Sequence, residues 1–408
     1  MKKILQKHRN VSLTIILAAL GYFVDIYDLI LFSIVRIKSL RDIGIPDDAL
    51  LSNGVLLLNM QMGGMLLGGV LWGILGDKKG RLSVLFGSIA MYSVANIANA
   101  FVTGIPAYAF WRLVAGIGLA GELGAGVTLV SEIMSKETRG YGTMIVAGVG
   151  IFGGVAAGLI GDQFSWRVAY LVGGGMGLAL LLLRIGVYES GMFDAIKDKK
   201  LARGRLGMLF KDRVNAVKYI CGILIGVPIW FTIGVLVTYS PEFGRALGMP
   251  VLPNPAFALM YLYLGCALGD FLTGALSQYF KSRKKVVFGA LTALAALLTL
   301  YLTTHNGSLL YFYSLCIGLG FAIGYWAVFV TMASEQFGTN IRATVTTTTP
   351  NFVRGSLVPM SIAFQAAKGY FGILGGAALV AALAIALALA ALSRLQETYG
   401  KDLDYCED

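Results

Sequence analysis

The chain has 408 residues, of which 57% are hydrophobic and 13% charged, and its mean hydropathy is +0.75. A soluble domain carries about 25% charged residues, so this composition excludes an ordinary soluble protein and makes lipid the main solvent. The net charge of +11 is read as basic loops on one side of a membrane rather than as a nucleic-acid footprint.

Apolar runs long enough to cross a bilayer as helices occupy residues 11–35, 51–75, 82–101, 108–134, 142–160 and 168–187. A polar, basic segment follows, and six more runs occupy 216–239, 256–276, 286–304, 309–333, 345–367 and 373–392. The expected fold class is an all-α membrane protein with twelve transmembrane helices in two pseudo-symmetric six-helix halves. The halves are 1–190 and 216–393, joined by a basic linker at 191–215 and followed by a tail at 394–408.

Most of the 33 Lys and Arg fall on the side of the two termini, with Arg184 and Lys218 counted at the span ends that flank the linker. The opposite loops hold Arg36, Lys38, Arg41, Arg167, Arg245 and Lys368. The basic side is cytoplasmic by the positive-inside rule, which places both termini inside the cell membrane. Four Cys and two His show no disulfide framework and no metal-ligand spacing. No nucleophile–base set or phosphate loop is present, so an enzyme is not expected. Neither a cofactor nor a metal is expected, and the partners are a small-molecule substrate and membrane lipid, with no nucleic acid. A monomer is expected.

Between the second and third runs lies Gly73-Ile-Leu-Gly-Asp77-Lys-Lys-Gly-Arg81. Glycines here allow a sharp turn and close helix contact. Asp77 is placed to cap a helix N-terminus, and Arg81 to pair with Glu132. Ser131-Glu132 with Arg139 recurs as Ser334-Glu335 with Arg342, at the same Glu-to-Arg spacing. The second copy departs at Gln278, which stands where the first has Asp77. The loop and the repeat resemble the Major Facilitator Superfamily. That resemblance implies alternating access, with Asp77, Arg81, Glu132 and Arg139 as a gating latch on the cytoplasmic side.

A charge inside a span is costly and therefore a functional candidate. The candidates are Asp25 and Asp28 in the first span, Arg112 and Glu122 in the fourth, Asp270 in the eighth and Arg354 in the eleventh. Asp25 and Asp28 stand at i and i+3, on one helix face. Two carboxylates that close in low dielectric do not both ionise easily, which suits a proton acceptor. Glu122 sits deep among Gly116, Gly118, Gly121 and Gly126. Arg112 is about 15 Å from it along the axis and is not expected to pair with it. Arg354 lies about 18 Å beyond Arg342 along the helix, too deep to snorkel. It is suited to holding a carboxylate, or to pairing with one of the three acids. The acids lie only in the first half and the deep base only in the second, whereas scaffold residues repeat.

The first-span acid-x-Tyr-Asp pattern, Gly121-Glu122-Leu-Gly124, Asn351-x-x-Arg354-Gly355 and Tyr188-Glu-Ser-Gly-Met-Phe193 resemble the metabolite–proton symporters and their sialate and aromatic-acid relatives. The expected function is proton-coupled uptake of a small organic anion, a carboxylate. Asp25, Asp28 and Glu122 serve proton coupling, and Tyr22, Gln61, Trp230, Tyr325, Asn351 and Arg354 bind substrate. The alternative is carriage of a cation, a metal ion or a neutral solute such as a sugar, with the first-half acids touching the cargo.

Overall fold

The computed structural model describes residues 2–79, 81–122, 139–189, 209–210 and 212–400. Side chains are described for 15–73, 75, 84–122, 146, 148–185, 209–210, 212–338, 341 and 344–400. The first half contains α1 (Lys2–Asp42), α2 (Leu50–Lys79), α3 (Arg81–Asn99), α4 (Ile105–Leu119), α5 (Arg139–Gln163) and α6 (Trp166–Glu189). The second contains α7 (Arg213–Phe231), α8 (Ser240–Ala246), α9 (Pro255–Tyr279), α10 (Arg283–Thr303), α11 (Leu309–Ile323), α12 (Trp326–Glu335), α13 (Thr339–Gly355) and α14 (Leu357–Arg394). These helices make up twelve spans. Each expected run lies largely in helix where it is described, and α1 extends beyond the first run at both ends.

The departures from simple helices have local causes. Pro228 sits inside α7 and supplies no N–H. A π-helical turn, Thr232–Val237, follows it, and the Thr232 hydroxyl donates to the Pro228 carbonyl at 2.9 Å. The tenth span is broken between α11 and α12 at Gly324 and Tyr325. Gly372 has φ 69° inside α14, a left-handed backbone that glycine adopts without strain. There the chain doubles back, and Gly376 returns against the backbone of Ala367 and Lys368. That hairpin separates the eleventh span from the twelfth.

Glycine sets the packing, and it does so twice. A Cβ on Gly64 would meet the Leu113 carbonyl, and one on Gly116 the Gln61 carbonyl. In the second half a Cβ on Gly265 would meet the Ile317 carbonyl, and one on Gly320 the Leu262 carbonyl. Thus α2 lies on α4 as α9 lies on α11, backbone to backbone. Without a hydrophobic force between helices in lipid, such close approach is what holds spans together. Gly73 is different: among the described residues nothing lies within 4 Å of where its Cβ would be.

The halves meet along α5 with α9 and α2 with α13. Gly154 receives the Tyr263 ring, Gly158 the Met260 side chain and Gly355 the Leu66 side chain. At the end of the bundle opposite the termini, three polar links join the halves. Arg36 Nη2 lies 2.7 Å from Glu242 Oε1. Asn254 Nδ2 donates to Asp162 Oδ1 at 2.7 Å, and Ser361 Oγ donates to Asn59 Oδ1 at 2.7 Å. These links shut the far end. The expectation that Arg36 belongs to a loop is corrected: α1 runs on to Asp42, and Arg36 is fully buried.

Candidate functional site

Asp25 and Asp28 are both wholly buried, but they face different neighbours. Asp25 turns to the second half, with Oδ2 3.6 Å from Arg354 Nη2. Asp28 turns into the first half, against Gly173 of α6. The i, i+3 spacing expected on one face is present, yet the two carboxylates divide between partners.

Arg354 is 1% exposed. Its guanidinium carbon lies 5.8 Å from the Trp230 ring centre and 5.9 Å from that of Trp326, within reach of cation–π attraction. Its Nε and Nη1 have no hydrogen-bond partner among the described residues. A buried guanidinium with idle donors, one acid nearby and two indole walls is equipped to take a planar anion. α13 positions it, and Asn351 one turn earlier ties that helix to the first half. Asn351 Nδ2 donates to the Ala120 carbonyl at 2.9 Å and to the Thr347 carbonyl at 3.2 Å.

The other candidates make contacts within the protein. The Tyr325 hydroxyl donates to the Ile225 carbonyl at 2.8 Å. Gln61 accepts from Arg112 Nη2 and donates to the Leu29 carbonyl at 3.3 Å. Arg112 also donates to the Tyr170 hydroxyl at 3.4 Å and lies 4.9 Å from the Phe32 ring centre. Tyr22 packs its ring against Gly150 of α5. Asp270 accepts the Ala327 N–H at 3.0 Å, so it caps α12 where the tenth span is broken.

Glu122 has a partner that sequence reasoning missed. Arg184 of α6 holds it through two bonds, Nη2 to Oε1 at 2.6 Å and Nη1 to Oε2 at 3.0 Å. Arg184 also donates to the Leu17 carbonyl at 3.2 Å. It is 6% exposed. Its placement among linker-flanking charges at a span end is therefore corrected. The signal was available: an Arg inside an apolar run. Gly21 makes room for the pair, since a Cβ there would meet both Glu122 and Arg184.

The expected latch is not resolved by these contacts. The side chains of Asp77, Arg81 and Arg139, and the whole of Glu132, lie outside the described residues. Among the described residues no group of three or more His, Cys, Asp or Glu is placed to hold a metal.

Two helical halves that meet at the buried Asp25–Arg354 pair are the architecture of a secondary transporter. The Major Facilitator Superfamily profile matches residues 18–358, and the chain belongs to that family. It is 30% identical to the 3-(3-hydroxy-phenyl)propionate transporter of Escherichia coli, over 83% of this chain and 87% of that one. It is 28% identical to the gentisate transporter of Corynebacterium glutamicum, over 92% of this chain and 86% of that one. In fold it resembles the proton:xylose symporter XylE bound to 6-bromo-6-deoxy-D-glucose, with a TM-score of 0.72 at 18% identity, covering 97% of this chain and 98% of that one. The chain is an integral membrane protein and not an enzyme.

Proposed function

We propose that this transporter takes up a small organic carboxylate together with a proton, across the cell membrane and with both termini in the cytoplasm. The observation that carries the reading is the Arg354–Asp25 pair, set between Trp230 and Trp326. While Asp25 is ionised it occupies Nη2. A proton on Asp25 removes that charge and frees Nη2, which with the idle Nη1 presents a donor edge to a substrate carboxylate. Proton and anion then load together without any further part.

The indole walls favour a flat, conjugated body on the acid, which stacks at little entropic cost. Two similar proteins are named for aromatic acids, 3-(3-hydroxy-phenyl)propionate and gentisate. Residues 1–190 and 216–393 rock as two units about this site, with 191–215 as the tether. The test is binding of benzoate-class acids to purified protein at two pH values, in wild type and Arg354→Ala. Binding that strengthens as the pH falls, and is lost in Arg354→Ala, is expected. A ligand that is cationic or neutral, or an acid bound equally by Arg354→Ala, overturns the reading.

A further inference from the structure

The first half contains a second polar region that the substrate site does not use. It lies between α1, α3 and α6. Along α3, Tyr92, Asn96 and Asn99 stand at i, i+4 and i+7 and so share one face. Ser93 borders the same face. All four are at most 1% exposed. The Tyr92 hydroxyl, Ser93 Oγ and both amide ends of Asn96 and Asn99 have no hydrogen-bond partner among the described residues. The same holds for both oxygens of Asp28, and Asn96 stands beside that carboxylate.

One orphaned buried group is tolerable, but a row of them is not. Each carries the full desolvation penalty if nothing satisfies it, and a buried water ordinarily makes about three such bonds. On the α6 side the row meets glycine backbone and no side chain: Gly173 lies against Asp28, and Gly177 against Ser93 Oγ and the Tyr92 ring. The row reaches the far end of α3 at Asn99, directly under the turn that follows. Arg167 pins that turn, donating to the Ala100 carbonyl at 2.9 Å and to the Val102 carbonyl at 3.2 Å. Arg167 itself pairs with Asp42 at 3.0 Å. Both partners of that pair reach the surface, at 38% and 51% exposure.

We propose that this chamber holds a file of water that carries the coupling proton between the far end of the bundle and Asp28, separate from the substrate path, with the Arg167-pinned turn as its seal. The proposal rests on Asp28 being a coupling acid. A proton arriving at Asn99 binds the first water. Each water passes one O–H proton to the next, and the last gives its proton to an Asp28 oxygen. The file is left reoriented, with no bond broken in the protein. The charged and titratable groups facing Asp28 are Asp25 on α1, Arg112 on α4 and Tyr27, Tyr92 and Tyr170 around it. Arg112 is the cation among them, so it repels a metal ion from the chamber and leaves water as the fitting occupant.

The test is a pH jump on purified full-length protein in liposomes, without substrate, followed by infrared absorption of the protonated carboxyl. The Asp28 band is assigned by its loss in Asp28→Asn. Asn96→Leu and Asn99→Leu fill the chamber with apolar bulk and are expected to slow protonation by about tenfold or more. Arg167→Gln loosens the seal and is expected to speed it. Opposite signs from two sets of variants do not arise from general loosening of the fold. Ser93→Ala, which removes one orphan and little volume, carries the same test where the leucine variants do not assemble, with an expected slowing of a few-fold. Wild-type rates in the chamber variants, or slowing by Arg167→Gln, overturn the file while leaving Asp28 as a coupling acid. Absence of any Asp28 band in wild type overturns the coupling role of Asp28, and the file with it.

Discussion

Arg354 Nη2 and Asp25 Oδ2 lie 3.6 Å apart, one from each half of the bundle. That is longer than a hydrogen bond, yet in a low-dielectric interior opposite charges at this range still attract strongly. Each side chain holds the other's charge without locking it, so a proton and an anion can divide the pair. Arg354→Ala should lose carboxylate binding by about 2–5 kcal/mol, the cost of removing one partner of a buried charged contact. Arg354→Lys keeps the charge but not the planar fork and should lose about tenfold. Titration calorimetry on purified protein measures both.

Asp25→Asn mimics the protonated acid. Wild-type affinity for the anion should rise as the pH falls, because an ionised Asp25 competes for Arg354. In Asp25→Asn the affinity should be high and independent of pH, and uptake should no longer follow a pH gradient. Asp28→Asn should also abolish pH-driven uptake while sparing counterflow exchange. Proteoliposome uptake with and without an imposed gradient decides both.

Glu122 and Arg184 form a bidentate pair deep in the first half. Removing one member strands a buried charge, at a cost of about 3–5 kcal/mol. Arg184→Met should therefore lower the melting temperature sharply, and Glu122→Gln with Arg184→Met together should recover much of the loss. Thermal unfolding in detergent reads the comparison. If Glu122→Gln alone is as stable as wild type, the pair is not holding α4 to α6.

The far end is shut partly by Arg36 and Glu242, 2.7 Å apart. Arg36 is also stacked on Tyr239, 4.6 Å from the ring centre. Glu242→Gln removes the charge that opening must separate. The population open at the far end should rise, about tenfold for each 1.4 kcal/mol lost. Labelling of a cysteine introduced at Val55, buried on α2 and outside the three links, tests this, and an unchanged labelling rate counts against the gate.

At the other end the tail returns to the bundle. Burial pushes the Glu397 carboxyl up, but hydrogen bonds from Ser282 and from the Tyr399, Arg283 and Lys284 amides outweigh it and hold it at about 2, against an ordinary 4.5. A depressed value means stabilisation that is complete above pH 4.5 and lost as the pH falls through about 2. Glu397 faces solvent, so screening keeps the effect small. Glu397→Gln should lower the melting temperature slightly at neutral pH, and the difference should vanish toward the acid end of that window.

The order and number of spans, the repeat and the candidate charges were legible in the sequence. Bilayer thickness fixes run length, and a charge within an apolar run stands out whatever the fold. Asp25, Asp28, Glu122 and Arg354 were found that way. Partners were not legible, because they depend on which helix faces which. Asp25 and Asp28 share a helix face, yet only the packing of α13 and α6 sends one to Arg354 and the other to the α3 chamber. Arg184 and Arg36 read as span-end charges until the tertiary structure buried them opposite Glu122 and Glu242. The glycines show the same division. Sequence placed Gly64 and Gly116 in spans, but it was the contact with a facing carbonyl that set them apart from Gly73, which meets nothing within 4 Å among the described residues. A linear pattern carries length and polarity; pairing across helices is decided by packing that brings distant segments within a few ångströms.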